Sequence, residues 1–226
     1  MIWGVIATLP EEIELLVMQM HMSESKTISG YIFYSGIIGK TRIVLVNCGG
    51  GKINAAVCTT LLVAEFSVKT IFSIGVSGSL SEKLKILDVV IADKLLYHDN
   101  DLKFAINQPP YQPFYTADTV ISERCKQVVD GMMGGIFIFE TAPIATGDRF
   151  ISDNVEKTEI SARTGALCVD MCGAAVAQAA AIHEVPFVVI RCISDDTEGI
   201  TDQDYEKYFR AAAEQPCYIL LELFSR

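Results

Sequence analysis

The sequence predicts a single α/β domain built on a sheet buried on both faces. Three observations carry this. Strand-like and helix-like apolar segments alternate along the chain. Several strand-like runs, Ile2–Leu9 and Pro186–Ile193 among them, are apolar almost throughout instead of at every second residue, as a sheet covered on both sides requires. The chain has 226 residues, below the roughly 250 at which one core usually splits into two, so residues 1–226 read as one domain.

The elements follow in order. Ile2–Leu9 is a buried strand and Glu11–Met20 a helix, with Thr8 placed to cap it and Glu11 to close a capping box. Tyr31–Ile38 and Arg42–Cys48 form a hairpin pair. Lys52–Phe66 has helical spacing and is rich in Ala, Leu and Val. Thr70–Val76 is a buried strand ending at Ser77-Gly78-Ser79, and Leu87–Leu95 is another. Tyr97–Asp118, with its Pro and Tyr residues, is a loop. Thr119–Gly131 is a helix, followed by strands at Ile136–Phe139 and Ala142–Ala145. Asp153–Arg163 is a helix, Ala166–Val169 a short strand, Met171–Glu184 an Ala-rich helix, Pro186–Ile193 an apolar strand and Asp202–Phe224 a long terminal helix.

Composition excludes several classes of function. With 18 basic and 28 acidic residues the net charge is −10, which opposes nucleic-acid binding. No apolar run reaches the roughly 18 residues that span a bilayer, and Met1–Gly4 has no basic region of a signal peptide. Seven cysteines show no CxxC spacing; reduced, buried thiols in a cytoplasmic protein are expected. His21, His98 and His183 fit no metal pattern, so neither metal nor cofactor is expected. No GxSxG elbow is present.

In buried sheets of this kind ligands bind beyond the strand C-termini. The stretches to search are therefore Leu9–Glu12, Gly49–Lys52, Gly75–Ser79, Thr146–Phe150, Met171–Cys172 and Ser194–Asp196. Gly49-Gly50-Gly51-Lys52 matches neither a P-loop nor a dinucleotide fingerprint; it reads as a tight strand-to-helix turn with room for close backbone approach. The amides around Gly78 either line a small ligand or make an ordinary turn. Phe150 is either a core aromatic or a platform for a base. Arg191 stands in an apolar strand, where an unpaired cation costs several kcal/mol, and Ser194-Asp195-Asp196 follow it at the ligand edge. That run points to function more than to a structural pair alone.

Taken together and in order, these motifs resemble the 5′-methylthioadenosine/S-adenosylhomocysteine nucleosidases of the purine nucleoside phosphorylase–uridine phosphorylase superfamily. The likeness runs nearly end to end: Pro10-Glu11-Glu12-Ile13-Glu14, Gly51-Lys52-Ile53-Asn54-Ala55-Ala56, Tyr97-His98-Asp99, Thr146-Gly147-Asp148-Arg149-Phe150-Ile151, Val169-Asp170-Met171 and Val185-Pro186 through Asp195. The resemblance implies a three-layer fold with a mixed central sheet flanked by helices. It implies that Asp195, oriented by Ser194, assists departure of the purine at N7, and that Glu12 holds and deprotonates the attacking water with Arg191 nearby. Phe150 would stack on the base, the backbone of Ile151 read its edge and Met171 pack under the sugar. Leu9, Gly50 and Tyr205 would line the 5′ pocket. Leu102 and the Pro109–Pro113 loop would approach the pocket of a partner, so that the 97–113 segment implies a homodimer. Such chemistry is coherent from the residues: N-glycoside cleavage passes through a cationic sugar, and two acids in different environments serve it.

Two polar positions depart from that family. Cys172 stands where a carboxylate binds the ribose hydroxyls, and Val76 stands where a serine is usual; Gly50 also replaces a bulkier residue. Two hydrogen bonds to a carboxylate are worth about 1.5–3 kcal/mol each, and their loss costs roughly 10²- to 10⁴-fold in rate. The expectation is a hydrolase of methylthioadenosine, adenosylhomocysteine or a related purine nucleoside. The rivals are a nucleosidase for a purine with a modified sugar, a silent nucleoside binder, and a phosphorylase.

Overall fold

The structure is a computed structural model. It describes residues 1–100, 108–132, 139–195 and 202–226, with side chains throughout these except at 22, 23, 139, 140 and 202–207. The strands are β1 Ile2–Ala7, β2 His21–Ile28, β3 Tyr31–Ile38, β4 Thr41–Asn47, β5 Thr70–Ser79, β6 Val89–Tyr97, β7 Tyr115–Thr116, β8 Phe139–Thr146, β9 Cys168–Asp170 and β10 Phe187–Asp195. The helices are α1 Glu11–Gln19, α2 Lys52–Phe66, α3 Thr119–Met132, α4 Asn154–Thr164, α5 Gly173–Ile182 and α6 Asp202–Ser225.

The ten strands of the described residues belong to one mixed sheet. β1 joins the open half to the rest of the sheet, parallel to β4 from Ile2↔Arg42 to Ala7↔Asn47 and parallel to β5 on its other side. The antiparallel β3 and β2 complete that edge. The other half closes on itself. β5 pairs with β10, β10 with β6, β6 with β8, β8 with β9, and β9 back to β5. This five-strand ring removes both strand edges on that side.

Alternation across the strands explains the apolar runs. Ile43 and Leu45 join Val5, Phe72 and residues of α1, α3 and α6 in one core cluster. Val44 and Val46 join Ile6 and residues of α2 and α5 in another. Side chains of successive strand residues face opposite ways, so a sheet with helices on both faces needs apolar residues at both parities. The small side chains of α5, Ala174, Ala175, Ala177 and Ala180, are buried, as close approach to the sheet demands. Among the described residues no helix is long and apolar enough to cross a membrane.

Three elements differ from the sequence expectation. The stretch after α1, to which the sequence assigned nothing, is β2, an edge strand whose exposed polar residues hide its alternation. The two strands expected around residue 140 are one continuous β8, because Glu140 and Thr141 pair with Val90 and Ile91 without a break; residues 136–138 lie outside the described residues. The expected loop after Tyr97 contains the short β7, paired to β6 at Lys94 and Leu95.

Candidate active site

β1, β5 and β10 run parallel and end at one sheet edge. There they enclose a cavity of about 190 Å³ whose walls include Leu9, Glu12, Val76, Arg191 and Asp195. Glu12 is 1% exposed. The Thr8 amide and hydroxyl donate to its Oε2 at 2.8 and 2.9 Å, and the Leu9 amide donates to the same oxygen at 2.9 Å. The Val76 amide of β5 donates to Oε1 at 2.9 Å. Glu12 therefore acts only as an acceptor, and Oε1, with one donor, has room for a second. This overturns the expected capping box: Pro10 occupies the N-cap of α1 without a side-chain cap, and Thr8 serves Glu12 instead of the helix end. Gly75 has φ +153, and a Cβ there would collide with Oε1 of Glu12, so this close approach needs glycine.

Arg191 is 1% exposed. Its Nε donates to Asp170 Oδ2 at 2.8 Å, and its guanidinium also reaches Ser73 Oγ at 3.0 Å and Cys172 Sγ at 3.1 Å. Burial works against its charge, but the carboxylates of Asp170 and Glu12 outweigh this and hold it protonated. Asp170 further accepts from Thr146 Oγ1 and from the Gly173 amide at the start of α5. A buried cation and a buried anion thus satisfy each other, which answers the cost anticipated for an arginine in an apolar strand. Burial pushes the Cys172 thiol well above the usual cysteine range, against the opposing pull of Arg191.

Asp195, which also lines the cavity, ends β10. The Ser194 hydroxyl donates to its Oδ1 at 3.3 Å, and Lys157 Nζ stands 3.0 Å from Oδ2. Gly78 lies against it; a Cβ there would sit 3.0 Å from Oδ2. Phe150 is 64% exposed at the rim, while Ile151 beside it is buried. Met171, Cys172 and Gly50 complete the lining, and a Cβ at Gly50 would meet nothing within 4 Å. The Gly49–Lys52 turn is held by the Lys52 amide donating to Asp148 Oδ1 at 2.8 Å and by Lys52 Nζ bonding Asp99 at 2.7 Å.

Twelve of the thirteen residues singled out from the sequence meet in this one cavity. The thirteenth, Tyr205, lies in α6 with its side chain outside the described residues, and Leu102 lies outside the described residues altogether. Sequence reasoning missed Lys157. Its signal was position: it shares the inward face of α4 with Ile160, three residues on, where an apolar residue is expected.

A family model for the phosphorylase superfamily matches residues 3–225. This chain belongs to that superfamily. A 5′-methylthioadenosine/S-adenosylhomocysteine nucleosidase of an Exiguobacterium strain is 31% identical over 215 residues, which cover 93% of this chain and 91% of that protein. The structure of such a nucleosidase from Neisseria meningitidis, in complex with methylthio-immucillin-A, superposes with a TM-score of 0.91 at 30% identity, covering 99% of this chain and 98% of that one. One from Colwellia psychrerythraea, in complex with adenine, gives 0.91 at 28% identity, over 99% and 94%. The chain is thus a member of the methylthioadenosine/adenosylhomocysteine nucleosidase family, and by that kinship a purine nucleosidase.

Proposed function

We propose that this nucleosidase hydrolyses the N-glycosidic bond of 5′-methylthioadenosine, S-adenosylhomocysteine or a closely related purine nucleoside, releasing adenine and a thioribose-type sugar. The observation that carries the reading is Glu12: a buried carboxylate held by four donors in the wall of the cavity that Asp195 also lines. In the reaction Oε1 takes a proton from water as the water oxygen bonds to C1′. The C1′–N9 bond breaks, its electron pair passes into the purine, and Asp195 gives its proton to N7. Ser194 orients Asp195, Phe150 stacks on the base and the Ile151 backbone reads its edge. Leu9, Gly50 and Tyr205 line the 5′ side, with Met171 under the sugar. The cationic sugar of such a transition state is served by an anion already fixed in place.

Water is favoured over phosphate as the nucleophile. Arg191, the buried cation beside Glu12, is committed to Asp170, and the Glu12 carboxylate repels an anion. The same reading makes the protein a cytoplasmic homodimer acting in methionine salvage. Its seven buried cysteines fit a reducing compartment. The exposed Ile53 and Val57 of α2 and the exposed Phe150 fit a partner's 97–113 segment covering the rim.

One observation favours a variant of this reading. Cys172 offers the sugar a thiol whose sulfur already accepts from Arg191, and Asp170 is occupied by its own donors. A substrate whose sugar asks less of this wall than ribose does is the alternative. The test is adenine release from methylthioadenosine without phosphate. Release that Glu12→Gln abolishes supports hydrolysis of the ribonucleoside. Tight binding without release overturns it in favour of a silent binder, and turnover only with phosphate overturns it in favour of a phosphorylase.

A further inference from the structure

Lys157 lies 3% exposed on the inward face of α4. Its Nζ is 3.0 Å from Asp195 Oδ2, and the two side chains are 4% and 13% exposed. Lysines seldom sit inside proteins, and burying an ammonium with a carboxylate forfeits the hydration of both. An apolar residue could fasten this turn of α4 to the sheet, as Ile160 does. The cation is aimed instead at the side chain that the proposed reaction uses as its acid. The carboxyl of Asp195 is bounded by Lys157 at Oδ2, by the Ser194 hydroxyl at Oδ1 and by the bare backbone of Gly78. It also lines the cavity.

We infer that Lys157 is the positioning residue that makes Asp195 an effective leaving-group acid. It fixes the carboxyl and stabilises the negative charge that appears there when the proton departs. The inference rests on the reading of Asp195 as the acid. In the step Asp195, having taken up a proton from solvent, gives it away: its O–H bond breaks and an N–H bond forms at purine N7, while the C1′–N9 pair passes into the base. A water oxygen bonds to C1′ and its proton goes to Glu12. Asp195 ends as a carboxylate beside an ammonium already in place. A fixed cation in a water-poor site acts most strongly where charge develops during the reaction. The contribution of Lys157 therefore grows with the leaving group's need for a proton.

Two substrates sharing one sugar separate this role from a structural one. Adenine needs protonation to leave; 4-nitrophenolate leaves unaided. In Lys157→Met, kcat for the adenine nucleoside falls about 10²-fold with KM little changed. Turnover of the 4-nitrophenyl riboside stays within about twofold, because no proton transfer limits it. Lys157→Arg, which keeps the charge, restores most of the adenine activity. Equal losses on both substrates, or no loss on either, overturn the inference. If Lys157→Met does not fold, Lys157→Gln carries the same comparison. Asp195→Asn separates the two levels of the argument. If it keeps full adenine release, the acid assignment falls and the lysine's role with it. If it loses release while Lys157→Met does not, only the lysine's role falls.

Discussion

Replacing Glu12 by glutamine keeps the shape of the side chain and exchanges one acceptor oxygen for a donor. Three donors converge on Oε2 and one on Oε1, so the amide oxygen settles on the crowded side. The NH₂ group then faces the Val76 amide across the 2.9 Å now bridged by a hydrogen bond. One hydrogen bond to a charged group is lost, worth about 1.5–3 kcal/mol, and a donor is left facing a donor. For a chain of this length that lowers the melting temperature by roughly 3–12 °C. The opposite orientation of the amide sacrifices three bonds instead and is excluded by the same count. Chemically the variant has no group to accept the water's proton, so adenine release drops about 10²- to 10⁴-fold. Scanning fluorimetry reads the first number and chromatographic adenine release the second. A variant as stable as the parent and within tenfold of its rate would show that neither the donor count nor the base assignment is right.

Three further outcomes are expected. Cys172→Glu returns a carboxylate to the sugar wall and raises kcat/KM for a ribonucleoside by about 10²- to 10⁴-fold, from two bonds of about 1.5–3 kcal/mol each; no gain in steady-state kinetics would sink the ribose-contact argument. Asp170→Asn leaves Arg191 buried without its counter-charge, and urea unfolding should show a loss of about 3–5 kcal/mol; a loss under about 1 kcal/mol would mean the pair is not the anchor of this wall. The thiolate is the form that reacts with disulfide reagents, and burial raises Cys48, Cys58, Cys125, Cys168 and Cys217 to about 12, with Cys172 and Cys192 also raised. All seven should stay silent toward such a reagent at pH 8 until denaturant is added, and stoichiometric labelling of the native protein would contradict their burial.

The central strands were legible because a sheet buried on both faces writes an unbroken apolar run, as in β1 and β10. β2 was not, since both its faces are largely wet and its residues carry little periodicity. Ring closure through β9 was illegible as well. It rests on backbone pairs at Gly78↔Val169 and Ser79↔Cys168, and backbone pairing leaves no mark on residue type. The cavity walls were found because they fall at strand C-termini, which topology alone marks as ligand edges. Local rules misassigned Thr8 and Glu11 to a capping box. The winning interaction joins Glu12 to β5, a partner more than 60 positions away. Lys157 was passed over because a charged residue on a helix is ordinarily a solvated one, and only packing reveals which way it points.

The way Glu12 is held bears on how this enzyme can change. Of its four donors three are main-chain amides, from Thr8, Leu9 and Val76. An amide is present whatever side chain is attached, proline excepted. Position 76 can thus carry valine, serine or another residue and still deliver the same bond to the same oxygen. The buried carboxylate is thus insulated from drift in the cavity wall around it. Substitution at Cys172, Val76 and Gly50, which line the same cavity, can proceed one residue at a time while Glu12 keeps its geometry. Two kinds of change nearby break that insulation: proline at 8, 9 or 76, which deletes a donor, and any side chain at Gly75, which takes the space Glu12 occupies.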